Sequence, residues 1–387
     1  MIASTGIVPA PPLFGGAIES HSFALANAIA QAGVRVHLIG DIREGARLHP
    51  NVTHHPVHSP IRRFPVPFPG WIMSHLIGGT LTAGVGYATT IQEKVDVAHF
   101  HEETSAMLYL RLRPRARLVF TLHNPPSWLG QYEPRKEAFV RRTISTLTGK
   151  LVIEKASHFI ALSEFVAIKF CNWLNLDKER VSVIGHPVDT DFFKPDKESE
   201  RRAREKFALA EPYIIFVGRL DSRKGVANLL QAVAKMPSKL STVIIGDGVQ
   251  KDALIKLAKE LNIQSLVRFL GPVSVSFLPG LLSGASCMVL PSLLEMSPLT
   301  VIESLSCGTP VVATDLPIME GVIKNGHNGL LVQHNVEALT DAISKLNTDQ
   351  RLEKQMRHNA RKSAVEDHSP RRVADRLIEV YDKVSQS

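Results

Sequence analysis

Two carboxylates flank a predicted helix start in the stretch "LLEMSPLTVIESLSCGTPVV", residues 293–312. Glu295 lies before the Ser-Pro pair of this stretch, and Glu303 lies eight positions further on, inside the predicted helix. The pattern predicts Ser297 as the N-cap and Pro298 as the first helical residue, where its missing N–H costs nothing. Two carboxylates in such an arrangement could act as an acid and a base, or could hold a ligand between them.

The backbone of this helix start is itself a candidate anion site. The amides of Leu299 and Thr300 have no acceptor within the helix, and they point out of the positive end of its dipole. A helix start of this kind at the end of a strand binds phosphates readily. The same residues also fit a well-capped helix with two surface carboxylates, because the hydroxyl of Ser297 can satisfy one amide.

A second candidate is the basic loop in "YIIFVGRLDSRKGVANLLQAV", residues 213–233. Arg219 and Lys224 follow a predicted strand, and Gly225 opens the next helix. Two cations on one strand-to-helix loop can converge on a diphosphate. An ordinary basic surface loop gives the same pattern, so the binding interpretation depends on the anion site predicted in the same half of the chain.

The first half of the chain places glycines and histidines on loops and at predicted strand ends. Gly15 and Gly16 precede an amphipathic helix, where backbone can approach a ligand closely, although a simple turn explains them equally well. His99 and His101 share one face of a strand, but without a third ligand they do not predict a metal site. His123 follows the next strand and is better placed to reach a ligand; the alternative is an ordinary loop histidine.

These residues depend on elements that alternate along the whole chain. Apolar runs alternate with helical patterns, which predicts an α/β fold with parallel sheets. In the first half, strands are predicted at 34–39, 95–100, 117–121, 158–161 and 181–184, with helices at 18–32, 72–92, 136–156 and 163–173. In the second half, strands are predicted at 213–218, 241–246, 266–271, 286–291, 310–314 and 329–332.

A polar, charge-dense stretch separates the two halves and predicts a domain boundary. It begins "HPVDTDFFKPDKESERR" at residue 186, and the linker is placed near residues 187–197. The predicted domains are therefore 1–187 and 188–368. Ligands of open α/β sheets bind beyond the carboxyl ends of the strands, so the two sheets are expected to bind their ligands in a cleft between them.

Composition limits the partners of the chain. Its 387 residues are 44% hydrophobic and 21% charged, which is typical of a globular protein with two or more domains. The net charge of +8 favours anionic partners, but no arginine-rich tract with interleaved aromatic residues supports nucleic acid. Cys171, Cys287 and Cys307 have no paired spacing, so neither disulfides nor a zinc site is predicted.

The sequence predicts a cytoplasmic protein with a candidate membrane-facing segment. No basic segment followed by an apolar core opens the chain, so a secretory signal is not predicted. Residues 71–91 are long enough to cross a bilayer, but their Gly, Thr, Ser and His content favours a buried helix. An arginine pair with nearby aromatic residues could make peripheral contact with anionic lipid, or could form a solvated Pro-rich loop. These residues are Arg62, Arg63, Phe64, Phe68 and Trp71.

Taken together, the motifs resemble those of the retaining glycosyltransferases of family 4, the glycogen-synthase-like group. The matching segments are Gly15-Gly16, His123, "VGRLDSRKG" at 217–225, "IGDG" at 245–248, the Glu295 to Glu303 pair and "GTPVVAT" at 308–314. The resemblance covers most of the chain. It implies the GT-B architecture, in which two Rossmann-like α/β/α domains face each other across a cleft, and a last helix at about 369–387 that packs back on the first domain.

The resemblance implies a role for each matched residue on the nucleotide side. Arg219 and Lys224 would bind the diphosphate of a nucleotide-sugar donor and take up the charge of the leaving group. The amides of Leu299 and Thr300 would bind the same phosphates. Glu303 would accept hydrogen bonds from the ribose hydroxyls.

The remaining matched residues are implied to lie near the sugar and the base. Glu295 would hold a hydroxyl of the transferred sugar, and His123 would contact that sugar near the reacting carbon. Gly15 and Gly16 would let backbone approach the phosphates, and the backbone at Val273 would meet the base. Arg219, Lys224, Glu295 and His123 are thus the residues expected to act on the reaction itself.

The implied reaction transfers a hexosyl unit from a UDP- or GDP-sugar to a hydroxyl of a glycan, glycolipid or lipid-linked acceptor, with retention of configuration. The donor phosphate would accept the proton of the acceptor, so neither a metal nor another cofactor is expected. Asp189-Thr-Asp191 accordingly matches the family's linker rather than a metal motif. Two alternatives remain open: epimerisation or hydrolysis of the nucleotide sugar on the same fold, and non-catalytic binding of a sugar nucleotide.

Two segments depart from the family pattern. Gly185-His186-Pro187 occupies a place where the family usually has Pro-Asn-Gly, so the linker or a nearby acceptor contact is expected to differ. Pro298 stands where the family often has glycine, which should stiffen the phosphate loop.

Overall fold

The computed structural model describes residues 1–4, 10, 17–57, 70–123, 149–210, 212–238, 240–295 and 298–386, without the side chains of 17 and 70–76. The chain divides into two compact units. Unit 1 comprises Met1–Pro187 and Pro370–Ser387, and unit 2 comprises Val188–Ser369.

Unit 1 contains a seven-stranded sheet in which every pairing is parallel, with the order β3-β2-β1-β4-β5-β6-β7. Its strands are β1 Ile2–Ala3, β2 Val36–Gly40, β3 Val52–Pro56, β4 Val97–Phe100, β5 Arg117–Leu122, β6 His158–Ala161 and β7 Val181–Val183. Its first helices are α1 Ala17–Gln31, α2 Gly70–Glu93, α3 Glu103–Arg111 and α4 Glu164–Leu174. Residues 149–155 are also helical, and the rest of the helix predicted at 136–156 lies largely outside the described residues.

Unit 2 contains a six-stranded parallel sheet with the order β10-β9-β8-β11-β12-β13. Its strands are β8 Tyr213–Val217, β9 Ser241–Ile245, β10 Val267–Gly271, β11 Cys287–Leu290, β12 Val311–Thr314 and β13 Gly329–Val332. Its helices are α5 Lys197–Phe207, α6 Val226–Lys235, α7 Lys251–Glu260, α8 Leu278–Ser283, α9 Leu299–Ser306, α10 Val336–Thr348 and α11 Gln350–His368. The last helix, α12 Pro370–Gln386, belongs to unit 1.

The structure adds three elements of unit 1 that the sequence pattern did not predict. β1 has only two residues, and β3 reads "VTHHP", so neither gives an apolar run long enough to recognise. α3 begins almost directly after β4 because Glu102 caps it: the Glu102 carboxylate accepts hydrogen bonds from the amides of Thr104 at 2.9 Å and Ser105 at 2.7 Å.

One face of the unit 1 sheet forms the core with α1 and α12. Side chains of alternate strand residues point to the same face, and apolar residues from several strands line that face. The buried members of this core include Val97, Val119 and Ile160 from the strands, Ile184 just after β7, Leu25 and Ile29 from α1, and Val373, Leu377 and Val380 from α12. The last helix of the chain is therefore part of the first unit's core.

Helix α2, whose one charged residue is Glu93, packs on α3 rather than being buried on all sides. A Cβ added at Gly79 would lie 3.1 Å from the Thr104 side chain, so the two helices approach closely there. Leu81 and Ile91 on another face of α2 are exposed. Among the described helices, none has the length and hydropathy needed to span a bilayer. Arg62, Arg63, Phe64 and Phe68 and the side chain of Trp71 lie outside the described residues.

Backbone contacts join the loops at the carboxyl edge of the unit 2 sheet. Gly225 has φ +63°, and a Cβ there would lie 2.0 Å from the carbonyl oxygen of Pro291, which follows β11. Gly246 has φ +127°, and a Cβ there would lie 1.9 Å from the carbonyl oxygen of Gly218, which follows β8. Only glycine fits both conformations and both distances. The loops after β8, β9 and β11 are therefore held against one another by backbone.

We predict that Gly225→Ala destabilises unit 2 far more than Gly271→Ala. Gly271 has a similar φ of +66° but has open space where a Cβ would lie. Alanine at Gly271 should cost only the left-handed backbone, about 1–2 kcal/mol. Alanine at Gly225 adds a clash with backbone and should cost about 3 kcal/mol or more. Thermal unfolding measures both, and equal shifts in Tm would contradict the close approach of the two loops.

Candidate active site

In the unit 2 sheet, successive strands are added first on one side of β8 and then on the other. β8 lies between β9, its successor in sequence, and β11. The loops after β8 and β11 thus leave adjacent strands at the same edge but lead to opposite sides, and ligands of open α/β sheets bind at such switch points. Arg219 and Lys224 follow β8, whereas Glu295 and Leu299 follow β11. Unit 2 therefore brings both predicted loops to one place.

A buried ion pair links the two loops. The Lys224 Nζ donates to Glu295 Oε1 at 2.6 Å, and the side chains are 19% and 5% exposed. The fully buried hydroxyl of Ser292 donates to the same oxygen at 2.6 Å. Nothing among the described residues donates to Glu295 Oε2. The lysine and the carboxylate, predicted from separate motifs, thus form one unit with a single open acceptor oxygen.

Arg219 is held more loosely than Lys224. Its side chain is 58% exposed, and its guanidinium lies 3.8 Å from Asp221 Oδ2. Asp221 is mainly engaged by Arg223, whose guanidinium donates to Oδ2 at 2.7 Å and whose amide donates to Oδ1 at 3.0 Å. The guanidinium of Arg219 therefore retains donors for an anionic ligand.

The start of α9 differs by one residue from the prediction. The helix spans Leu299–Ser306, and Pro298 is its N-cap residue with φ −82° and ψ 54°. The placement of Pro298 as the first helical residue was therefore wrong, because that ψ lies outside the helical range. The carbonyl of Pro298 accepts from the amide of Val301 at 3.0 Å, which starts the helix. The prediction of Ser297 as the N-cap was therefore also wrong by one position, and Ser297 itself lies outside the described residues.

The first-turn amides and Glu303 complete the unit 2 site. The amides of Leu299 and Thr300 lie in the first turn of α9, where an α-helix offers them no acceptor. Glu303 is half-buried one turn further on, and burial raises its pKa from 4.5 to about 8. No described residue forms an ion pair or hydrogen bond with its side chain. Glu303 is thus partly enclosed rather than fully solvated.

The other residues of unit 2 that were singled out from the sequence form no comparable network among the described residues. Val273 is half-buried in the loop after β10. Gly15 and Gly16 lie outside the described residues. Asp189 of the D-x-D sequence caps a turn, since its Oδ1 accepts from the amides of Asp191 at 3.1 Å and Phe192 at 2.9 Å. Within the described part of the chain, no group of three or more His, Cys, Asp or Glu residues is arranged to hold a metal ion.

His123 belongs to a buried histidine cluster in unit 1. Its Nε2 lies 3.1 Å from His101 Nδ1, and the ring of His101 stacks on that of His99 with centroids 4.4 Å apart. His21 of α1 faces the same group and pairs with His186, with 2.7 Å between their Nδ1 atoms. Burial lowers the pKa values of His99 and His123 to about 3, so both rings are neutral at physiological pH.

The cluster continues the strand pattern of the unit 1 core. His99 and His101 follow Val97 on the same face of β4, and His123 follows Val119 at the same spacing beyond β5. Period-two spacing could thus have placed these residues on the core face. His21 and His186 could not be assigned in that way, and neither could Ser292. His186 is the central residue of the segment that departs from the family pattern.

Comparison with known proteins identifies the class. Two family models match the chain: Glycosyltransferase Family 4 over residues 14–192 and Glycosyl transferases group 1 over residues 197–363. The D-inositol 3-phosphate glycosyltransferase of Mycolicibacterium smegmatis is 30% identical over 276 residues, covering 68% of this chain and 63% of the relative. The match therefore spans less than two thirds of that relative's length.

Solved structures share the fold over nearly the whole chain. Sucrose-phosphate synthase from Thermosynechococcus elongatus superposes with a TM-score of 0.80 at 21% identity, covering 99% of this chain and 98% of the other. Anabaena Alr3699/HepE, solved in complex with UDP and glucose, superposes with a TM-score of 0.74 at 18% identity, covering 99% of both chains. The fold is thus the GT-B fold of glycosyltransferases. With both family models matched, the chain belongs to the group 1 glycosyltransferases of family 4.

We predict that Glu303→Gln stabilises the protein at pH 8 but not at pH 5. The folded pKa of about 8 exceeds the ordinary 4.5, so the wild type loses stability as pH rises from 4.5 through 8. Glutamine resembles the protonated side chain and does not ionise. Denaturant unfolding should give a difference that grows to a few kcal/mol by pH 8. A difference that does not change with pH would show that Glu303 ionises normally; the exposed Glu337→Gln is the control.

Proposed function

We propose that this chain is a retaining glycosyltransferase that moves a hexosyl unit from a UDP- or GDP-sugar to an acceptor hydroxyl without a metal. The observation that carries the proposal is the buried Lys224–Glu295 pair at the switch point of unit 2, beside the start of α9. It combines a cation, an acceptor oxygen and helix-start amides that have no acceptor among the described residues. A nucleotide diphosphate sugar carries the complementary groups in one molecule.

The proposal assigns Glu295 to the sugar and the cations to the diphosphate. Glu295 Oε1 is occupied by Lys224 and Ser292, so Oε2 is left to accept from a sugar hydroxyl. Lys224 has further N–H donors, and Arg219 extends an exposed guanidinium from the same loop. Both cations, with the amides of Leu299 and Thr300, would stabilise the charge that develops on the leaving diphosphate.

The remaining contacts are proposed for the nucleoside and the sugar. Glu303, without a partner in the described residues, would accept from the ribose hydroxyls. Val273 would contact the base. His123 would contact the transferred sugar, and Gly15 and Gly16 would approach the phosphates. UDP is the first candidate nucleotide, because Anabaena Alr3699/HepE, which shares the fold, was solved with UDP and glucose.

The proposed reaction retains the anomeric configuration of the sugar and uses no metal ion. Glu295 is a poor nucleophile in this setting, because Lys224 and Ser292 both donate to its Oε1 and the lysine neutralises the charge of the carboxylate. We propose that it positions the sugar, and that a donor phosphate oxygen accepts the proton of the attacking hydroxyl on the same face. The anomeric configuration of the first-formed product, read by NMR, tests this directly.

The acceptor class is proposed from the relatives and the charge. The Mycolicibacterium relative is named for an inositol 3-phosphate acceptor. A polyol phosphate fits the net charge of +8, as do anionic glycolipids and lipid-linked glycans. Peripheral contact with anionic membrane through Arg62 and Arg63 stays a prediction, and co-sedimentation with anionic liposomes at low salt checks it.

Epimerisation or hydrolysis of the nucleotide sugar and non-catalytic binding are the alternatives. A panel of UDP- and GDP-sugars, assayed for released nucleotide and for product mass with and without acceptors, separates them. Release of nucleotide that depends on an acceptor hydroxyl supports transfer. Inverted free sugar without an acceptor would favour the epimerase, and binding without turnover would favour a non-catalytic protein.

We predict that Lys224→Ala lowers kcat by about 100- to 1,000-fold, the cost of removing one charge-stabilising donor. The matched control is Lys235→Ala in the same unit. Lys235 donates to Glu337 at the same 2.6 Å, but its side chain is 58% exposed. Such a surface pair contributes little, so the control should keep wild-type kcat. Steady-state kinetics with the preferred donor measures both variants, and equal rates for the two would remove Lys224 from the site.

A further inference from the structure

Two neighbouring strands of unit 1 present polar side chains in matching positions on the core face. β4 carries His99, with His101 two residues beyond it, and β5 carries Thr121, with His123 two residues beyond it. The pair β4 and β5 is parallel, with His99 opposite Val119. α12 covers this face, and its Tyr381 reaches the histidines. A residue near the C-terminal end of the chain thereby contacts a group next to His123.

Hydrogen bonds and one ring stack connect Tyr381 to His123. The Tyr381 hydroxyl lies 2.6 Å from His99 Nδ1, and His99 Nε2 lies 2.6 Å from Thr121 Oγ1. Both ring nitrogens of His99 are therefore engaged, which fixes the plane of that ring. His101 stacks on it at 29° between planes and contacts His123 through Nδ1. The orientation of His101 thus depends on His99, and that of His123 depends on His101.

The proton positions follow from which nitrogens lack a partner. His101 Nε2 is fully enclosed and has no hydrogen-bond partner within the described part of the chain. A buried N–H without an acceptor costs more than a buried lone pair without a donor, so the proton of His101 belongs on Nδ1. That N–H donates to His123 Nε2, which must then be the bare nitrogen of its ring. The proton of His123 therefore lies on Nδ1, which, unlike His101 Nε2, is not among the fully enclosed atoms that lack a partner, so this assignment leaves no enclosed N–H unsatisfied.

The same reasoning assigns Tyr381 and His99. Burial raises the pKa of Tyr381, so its hydroxyl keeps its proton and donates to His99 Nδ1. His99 then carries its proton on Nε2 and donates to Thr121 Oγ1. Burial also lowers the pKa values of His99, His101 and His123, so each ring carries one proton only. The two stacked histidines are opposite tautomers.

We propose that His101 and Tyr381 are positioning residues that hold His123 as its Nδ1–H tautomer in one ring orientation, so that it offers an N–H donor to an oxygen of the transferred sugar. The proposal rests on the function proposed above, in which His123 contacts that sugar. A fixed donor at the sugar contributes more in the transition state than a ring that must first rotate or exchange its proton. Neither His101 nor Tyr381 needs to touch the substrate.

The tautomers can be measured without any substrate. Long-range proton–nitrogen NMR correlations on histidine-labelled protein distinguish a protonated Nδ1 from a protonated Nε2. The resting wild type should show His123 and His101 protonated on Nδ1 and His99 protonated on Nε2. A His123 ring protonated on Nε2 would overturn the proposal, whatever the catalytic assay shows.

Two variants test the positioning. His101→Phe keeps a ring against His99 but removes the donor, so the Nε2-protonated form of His123 should appear and kcat should fall about 10- to 100-fold with little change in donor KM. Tyr381→Phe removes one hydroxyl and should lower kcat about 3- to 10-fold, the effect of one ordinary hydrogen bond. Unchanged tautomer and unchanged kcat in both variants would overturn the assignment.

Tyr109→Phe is the matched control. Tyr109 is fully buried in the same unit, and its hydroxyl lies 2.9 Å from Thr90 Oγ1, away from the histidines. It should lose stability as Tyr381→Phe does, but keep wild-type kcat and the wild-type His123 signals. An equal fall in kcat for both tyrosine variants would show a merely structural effect and contradict the proposal. If no variant and no wild type transfers sugar, the proposed function fails, and the NMR result still decides the tautomer.

Discussion

The buried ion pair between Lys224 and Glu295 is the interaction on which the unit 2 site depends. If either partner were removed, the charge of the other would be left largely buried without a counterion, which typically lowers the free energy of unfolding by several kcal/mol. Together, with Ser292 on the same carboxylate oxygen, they hold the loops after β8 and β11 in one arrangement. The glycine at 225 allows this, because any larger residue would strike the carbonyl of Pro291. Backbone shape and charge pairing therefore specify the same geometry.

Unit 1 uses a different device to bring polar groups to a sheet edge. On the core face, β4 and β5 are apolar near their starts and polar further along, with the same period of two. Val97 leads to His99 and His101, and Val119 leads to Thr121 and His123. The core that α1 and α12 bury thus passes directly into the histidine cluster. Packing of α12 and orientation of the histidines are parts of one arrangement.

Much of the fold was predictable because parallel strands are short apolar runs that end in glycine or proline. The predicted strands at 213–218 and 286–291 correspond to β8 and β11, but only the strand order of the folded sheet brings Lys224 and Glu295 together. β1 and β3 escaped prediction because one is too short and the other too polar. The start of α9 was displaced by one residue because proline fixes φ but not ψ, and ψ decides whether Pro298 is helical.

The parts of the site that could not be predicted depend on tertiary contacts between distant residues. Nothing around Ser292 distinguishes it from any other serine until the chain places its hydroxyl 2.6 Å from Glu295. His21, His186 and Tyr381 come from three separate regions of the sequence and meet the strand histidines only in the folded unit. The spacing of residues along the chain does not indicate such contacts. It does indicate which residues share a face of a strand and where a strand is followed by a helix.

In the proposed function, Glu303 holds the ribose of the nucleotide sugar as an ionised carboxylate. Calorimetric binding of UDP- and GDP-sugars between pH 6.5 and 8.5 tests it most directly, because ribose hydroxyls bind the ionised form of a group whose pKa is about 8 in the free protein. The affinity of the preferred donor should rise about 25-fold over this range, as the ionised fraction of Glu303 does, and Glu303→Gln should bind weakly at every pH. An affinity that is the same at both ends of the range and unchanged in Glu303→Gln would contradict the account.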